Sequence, residues 1–291
     1  MKIALGTVQF GLNYGVTNTQ GKVHQSEINS ILNRAKKANI NVIDTANAYG
    51  ESEAALGEYG SLAEFKLVTK IPTMVQESRS IAQIAQHSIS NLNHKPLHAI
   101  LLHDANDLLS PNADKYFDQM LKLKADGLCH KVGVSLYNPE QMFTITARYP
   151  IELIQIPFNC FDQRFATSEC RNIYSRNNIE VHARSLFLQG TLLSNRHNLP
   201  SYFNEFSSAY DDFYNLCDML NCDPMTLALA VPQQFDFIDQ AVLGVCSKLQ
   251  LEQILLHYSN SQQLTRLTRN QLKTLQYEDS RLINPANWSI N

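Results

Sequence analysis

Four side chains that can move protons stand where apolar runs of the chain stop. Asp44 closes NVIDT (residues 41–45), Lys70 lies near the end of KLVTKI (66–71) and His103 near the end of HAILLHD (98–104). Tyr49 follows Asp44 by one loop, beside Gly50. An ionised carboxylate avoids apolar surroundings unless it is paired, so Asp44 calls for a cation and Lys70 is the candidate. A cation beside a phenol favours phenolate, which makes Tyr49 a stronger acid than its reference pKa of about 10 implies. Such a phenol can protonate an alkoxide developing at a carbonyl carbon, with His103 hydrogen-bonded to the same oxygen. Singly, each residue has an ordinary explanation: a solvated or capping Asp or Lys, a satisfied core His, a packed Tyr. The chemistry is implied by all four together, on successive strand ends.

Those strand ends belong to a regular alternation. Eight short Val/Ile/Leu-rich runs, at 2–7, 41–45, 66–71, 98–104, 131–136, 152–158, 180–187 and 240–245, barely alternate with polar residues. That pattern suits parallel strands buried on both faces. Helix-period segments lie between them. In one, at 26–39, Ile28, Ile31, Leu32 and Ala35 share a stripe. Others fall at 78–92 and at 113–127, the latter ending on a C-cap glycine. The gap between the seventh and eighth runs holds two helical patterns, 201–220 and 224–235, and a last one at 262–275 precedes an irregular tail. Eight strand–helix units in about 250 residues is the arithmetic of a (β/α)8 TIM barrel, an α/β fold with its chemistry at the C-terminal strand ends. The expected organisation is a single barrel domain over 1–291 with a short irregular tail from about 276. A doubly wound two-domain fold is the alternative, weakened by the lack of a G-x-G-x-x-G turn after any early strand.

Composition narrows the function classes. The 291-residue chain is 44% hydrophobic and 18% charged with a formal net charge of -3, so no global basic surface favours nucleic acid or an anionic membrane. Its six cysteines form no C-x-x-C pair, which leaves zinc or dithiol chemistry without support and suggests free thiols in a reducing compartment. No apolar run approaches the ~20 residues of a membrane span, and the first residues lack a signal-peptide pattern. The expectation is a cytoplasmic protein acting on a small molecule, without metal.

At the four residues named first, the sequence resembles the aldo-keto reductase family. NVIDTANAYGESEAALG is similar to the family signature D-T-A-x-x-Y-G-x-S-E-x-x-L-G; LVTKI resembles its lysine strand and ILLHDA its histidine strand. KVGVSLYNPEQM resembles its G-V-S segment and LIQIPFNCFDQR its Q-x-x-x-N segment, so that the resemblance covers nearly the whole chain. It implies that Asp44, Tyr49, Lys70 and His103 are catalytic. It also implies an NADPH cofactor, with NADH open, and reduction of an aldehyde or ketone by hydride transfer, Tyr49 being the acid.

The same resemblance implies cofactor contacts. Ser135 and Gln155 would hydrogen-bond the nicotinamide carboxamide, Leu136 replacing the family's usual Asn. Arg184 stands where an aromatic ring usually stacks on the nicotinamide; it can stack instead or face a phosphate. Gln189 and Gly190 would face the pyrophosphate. Gly244, Ser247, Lys248 and Gln250 align with the grip on the 2′-phosphate, Lys248 being the lone basic residue there. Gln9, Phe10, Tyr14, Phe187 and Trp288 are nominated for the substrate pocket, and the LGTVQFGLNYG opening leans towards a sugar-like carbonyl. The family default is a monomer, with weak homo-oligomerisation open. Two other classes stay open: a cofactor-binding regulatory subunit on the same fold, and a lyase or isomerase using the Lys70 amine. The intact set of four and a start directly at the first strand argue against the regulatory subunit.

Overall fold

Eight parallel strands close into a barrel in the computed structural model, which describes residues 1–194, 198–264 and 267–290. The strands are β1 (Lys2–Gly6), β2 (Val42–Asp44), β3 (Lys66–Ile71), β4 (Leu97–Leu102), β5 (Cys129–Ser135), β6 (Leu153–Pro157), β7 (Glu180–Arg184) and β8 (Gln240–Gly244). Each pairs with its sequence neighbour, and β8 returns to β1. The helices in chain order are α1 (Val8–Gly11), α2 (Gln25–Lys37), α3 (Ser52–Gly57), α4 (Ile81–Leu92), α5 (Ala113–Ala125), α6 (Pro139–Arg148), α7 (Ser168–Asn177), α8 (Ser207–Leu220), α9 (Pro224–Gln233), α10 (Lys248–Ser261), α11 (Arg269–Leu275) and α12 (Ser280–Ile283). This is the (β/α)8 barrel read from the sequence.

Local chemistry sets the boundaries. Ser80 and Asn138 start α4 and α6 as capping boxes closed by Gln83 and Gln141. Left-handed Asn93 and Asn178 end α4 and α7. The seventh strand was expected to run to residue 187 but stops at Arg184, because Ser185 takes φ +62° and Leu188 to Gly190 also have positive φ. The helix expected over 201–220 divides: Ser201–Phe206 is a 3-10 turn and only the rest is α-helical. Residues 265–266 of the helix expected at 262–275 lie outside the described residues. The tail is more regular than expected, holding α12 and a short turn at Pro285–Asn287.

Two apolar cores result. The larger lies between strands and helices. The smaller fills the barrel with Ala4, Val42, Val68, Ala99, Leu101 and Leu153, small to medium residues that fit the narrow interior. Strand register pairs Gly6 with Asp44, Lys70 with Leu101, Ser135 with Gln155 and Pro157 with Arg184. It therefore lifts Asp44, Lys70, Gln155 and Arg184 to the C-terminal mouth. At the opposite end Glu180 gathers His98 (2.9 Å), Lys131 (2.6 Å) and His182 (2.9 Å).

Candidate active site

The loop that carries Tyr49 is held by small groups. A Cβ on Gly11 would lie 1.7 Å from the Tyr49 carbonyl oxygen, so only glycine lets the α1 turn approach this loop. Beneath it, Thr7 Oγ1 donates to the Asp44 carbonyl (3.0 Å), and Ser52 Oγ donates to the Thr7 carbonyl (2.8 Å) and lies 3.1 Å from Thr45 Oγ1. These buried hydroxyls fasten the ends of β1 and β2 to the start of α3. Glu53, also buried, accepts from Thr69 Oγ1 at 2.6 Å on β3. The Ser-Glu pair of the signature thus serves the scaffold under Tyr49.

Charge is concentrated at one point. Lys70, 0% exposed, donates to Asp44 Oδ2 (2.6 Å), to the Thr45 carbonyl (2.9 Å) and, at 3.4 Å, to the Tyr49 hydroxyl. Gln155 Nε2 reaches across the barrel to Asp44 Oδ1 at 2.7 Å, so both carboxylate oxygens are engaged. Burial pushes the Lys70 ammonium down, but Asp44 and Tyr49 outweigh it and the group is held above its ordinary value. Burial likewise raises the Tyr49 phenol above its ordinary value, against the opposing pull of Lys70. This reverses the acidified phenol expected from the sequence: the Lys70 charge sits closest to Asp44, and only its longer bond reaches the phenol. Tyr49 therefore keeps its proton at neutral pH. His103 meets the Tyr49 ring edge-on at 5.7 Å. Burial, with Lys70 and Arg184 adding to it, lowers the imidazole to about 4, so it is neutral.

Asp44, Tyr49, His103, Gln155 and Arg184 line a cavity of about 600 Å³ at the mouth. Gln9, Tyr14, Phe187, Gln189, Gly190, Gly244 and Gln250 line it too. Several nominated residues do not. Phe10 is 1% exposed and turns into the core from α1. Trp288 packs edge-on against Phe203 at 4.9 Å and donates to the Leu282 carbonyl, away from the cavity. Ser135 is buried at the end of β5. Ser247 caps α10 by accepting from Gln250 N. Lys248 is exposed; its backbone N–H donates to Glu27 Oε1 (2.6 Å) and its ammonium lies 3.7 Å from Glu252. The lining also includes Thr17, Tyr137 and Cys246, which sequence spacing did not single out because they lie in loops without a period, and Gln253 on α10.

The donor set can be tested against a nicotinamide dinucleotide. Gln9 Oε1 is buried without a hydrogen-bond partner among the described residues, and the Gln9 amide lies across Gly244, where a Cβ would come within 2.5 Å of that oxygen. An unpartnered acceptor beside a glycine that leaves the backbone open fits a polar, elongated ligand. The far end fits a 2′-phosphate less well. Gln250 there accepts from Cys246 N with its side-chain oxygen (2.7 Å), and Glu27 already takes the Lys248 N–H.

A model of the Aldo/keto reductase family matches residues 2–275. A Mycolicibacterium smegmatis protein described as an aldo-keto reductase is 30% identical over 137 residues, 44% of this chain and 46% of that protein, so the match spans about half the length of that relative. The holo form of a Bacillus halodurans aldo-keto reductase superposes with a TM-score of 0.72 at 18% identity, covering 99% of this chain and 94% of that one. The apo form gives 0.67 at 21% identity over 92% and 90%. At these identities the two structures carry the fold alone. Among the described residues no helix is long and apolar enough to cross a membrane.

Proposed function

Because the chain belongs to the aldo/keto reductase family, we propose that it is a nicotinamide-dependent oxidoreductase that reduces an aldehyde or ketone to an alcohol. The observation that carries this reading is the buried Asp44–Lys70 pair beside the Tyr49 hydroxyl, open to the cavity next to a neutral His103. A carbonyl oxygen placed between Tyr49 and His103 receives a hydrogen bond from each. Bound reduced nicotinamide supplies the hydride. Tyr49 gives its proton to the developing alkoxide, and the phenolate left behind is stabilised by Lys70. Asp44, held by Gln155, keeps Lys70 in place and charged.

Gln155, Arg184, Gln189, Gly190, Gly244 and Gln250 are the residues proposed to hold the cofactor, with Ser135 beside Gln155 in the strand register and Ser247 capping α10. The surroundings of Lys248 weaken the expected preference for NADPH, since among the described residues no cation lines the cavity at that end and two glutamates stand close by. NADH is therefore expected to bind at least as well. The reading carries with it a cytoplasmic enzyme, monomeric or weakly homo-oligomeric, acting on a small carbonyl compound. Schiff-base chemistry at Lys70 is disfavoured: its amine is buried, protonated and engaged by three acceptors.

The test is a calorimetric titration of the protein with NADH and NADPH, followed by turnover of an aromatic aldehyde. Binding of either cofactor together with turnover supports a reductase. Binding without turnover of any aldehyde points to a regulatory subunit, and no binding of either cofactor removes the reading. An NADPH affinity at least about tenfold the greater, a 1.4 kcal/mol difference, would restore Lys248 as a phosphate ligand.

A further inference from the structure

Arg184 brings to the cavity a positive charge that nothing in the proposed proton relay uses. Asp44 is the only carboxylate among the described lining residues, and Lys70 already neutralises it. Arg184 forms no ion pair among the described residues. It donates one hydrogen bond to the Leu136 carbonyl (3.1 Å), makes a long contact to Ser185 Oγ (3.4 Å) and stacks over the Tyr137 ring at 4.6 Å. A guanidinium has five N–H donors in a rigid fork, so three remain open. The ring and the carbonyl fix the plane of the fork, which removes much of the ordering cost of binding. The charge also acts at the reacting end, since it pulls down the protonation of Tyr49, His103 and Tyr14.

An unpaired, pre-oriented fork beside the proton donor is matched by an anion. Resting on the reductase reading, we propose that the carbonyl substrate carries an anionic group, a carboxylate or a phosphate, which Arg184 binds while Tyr49 and His103 hold the carbonyl oxygen. The other source of an anion is the cofactor's own pyrophosphate. Gln189 and Gly190, the stretch proposed to face that group, line the same cavity; under the proposal they hold the pyrophosphate without Arg184, which leaves the cofactor set named above.

The experiment compares paired aldehydes: 4-carboxybenzaldehyde with its methyl ester, glyoxylate with its methyl ester, and glyceraldehyde 3-phosphate with glyceraldehyde. The expected result is a kcat/KM at least about tenfold higher for one class of anion over its neutral partner. That ratio should collapse towards one in Arg184→Met and recover in part in Arg184→Lys. The wild-type ratios need no variant, so failure of a variant to fold leaves the test intact. No anionic preference in any pair overturns the proposal. So does an equal loss for acid and neutral partner in Arg184→Met accompanied by weaker cofactor binding, which would assign the arginine to the pyrophosphate. If the wild type reduces none of these aldehydes, the reductase reading is what fails. The inference is then decided by calorimetry with benzoate against benzamide: benzoate binding that is lost in Arg184→Met supports it, and no benzoate binding overturns it.

Discussion

At the floor of the barrel one carboxylate, Glu180, meets three basic side chains; at the mouth one carboxylate, Asp44, meets one. The first group comes from β4, β5 and β7 and the second from β2 and β3, at opposite ends of one barrel. At the floor the basic partners converge on the acid and close the end of the barrel. At the mouth the remaining groups, Tyr49, His103 and Arg184, are left facing a cavity with donors to spare. Buried polar groups are normally satisfied within the fold; at the floor His182 Nδ1 is an exception among the described residues, but the cavity lies at the other end, so the difference separates a region arranged for stability from one arranged for a ligand. It agrees with the rule that barrel chemistry sits at the C-terminal strand ends.

The strongest way to break the comparison is Lys70→Met, which strips Asp44 of its cation and leaves the carboxylate buried with only Gln155 as a side-chain donor among the described residues. We expect a loss of about 3–5 kcal/mol in stability, as for other broken buried pairs, and no turnover by the folded fraction. Urea unfolding and an aldehyde assay check both. Glu180→Gln should cost roughly 1.5–3 kcal/mol, the range for hydrogen bonds to charged groups, while turnover per folded molecule persists. The two results together would show that the ends of the barrel do different work.

Acid sharpens the contrast. The basic partners hold the Glu180 carboxyl far below the usual carboxylate range, overcoming a burial effect in the other direction. Its contribution is therefore complete above the ordinary glutamate pKa of about 4.3 and is lost as pH falls towards the folded value. The stability gap between wild type and Glu180→Gln should be widest at neutral pH and narrow in acid, which a series of melts from pH 7 to about pH 3 would record. His103 at the mouth behaves differently. Its imidazole is lowered to about 4, so the folded state resists its protonation while the unfolded chain accepts a proton below about 6.5. Stability from this group falls as pH drops through that window. A nuclear magnetic resonance titration of its ring protons should find a midpoint near 4, and a midpoint near 6.5 would contradict the burial argument.

A smaller effect is expected from Gly11→Ala. The added methyl meets the Tyr49 carbonyl oxygen, and the loop must shift. A displacement of about 1 Å at a reacting group can cost on the order of a hundredfold in rate. Turnover should therefore fall by about ten- to a hundredfold, with a clear drop in melting temperature because the methyl meets backbone atoms of Tyr49, Glu51 and Ser52.

Much of this arrangement was legible in the chain. Asp44, Lys70 and His103 were found because a titratable residue at the end of an apolar run is conspicuous, and the register then brings those ends together. The eight strands were legible for the same reason. What spacing could not show were contacts across the barrel. Gln155 was read as a cofactor ligand, yet it also holds Asp44 from the opposite wall. The burial that raises the Tyr49 phenol depends on the cavity around it rather than on its sequence neighbours. Phe10 and Trp288 were drawn to the pocket by residue type, whereas a single helical turn points one inward and Phe203 captures the other. Lys248 was nominated as a lone positive charge, and its surroundings, Glu27 from α2 and Glu252 one turn along, come together only on folding.

The central claim is that the Tyr49 hydroxyl gives its proton to the substrate at the mouth. The most direct measurement is single-turnover oxidation of the bound reduced cofactor by an aldehyde, comparing wild type with Tyr49→Phe. The account predicts that the variant folds, binds cofactor and loses at least about a hundredfold in the rate of oxidation, within the usual range for a positioned general acid. A variant that oxidises the cofactor at the wild-type rate would contradict it.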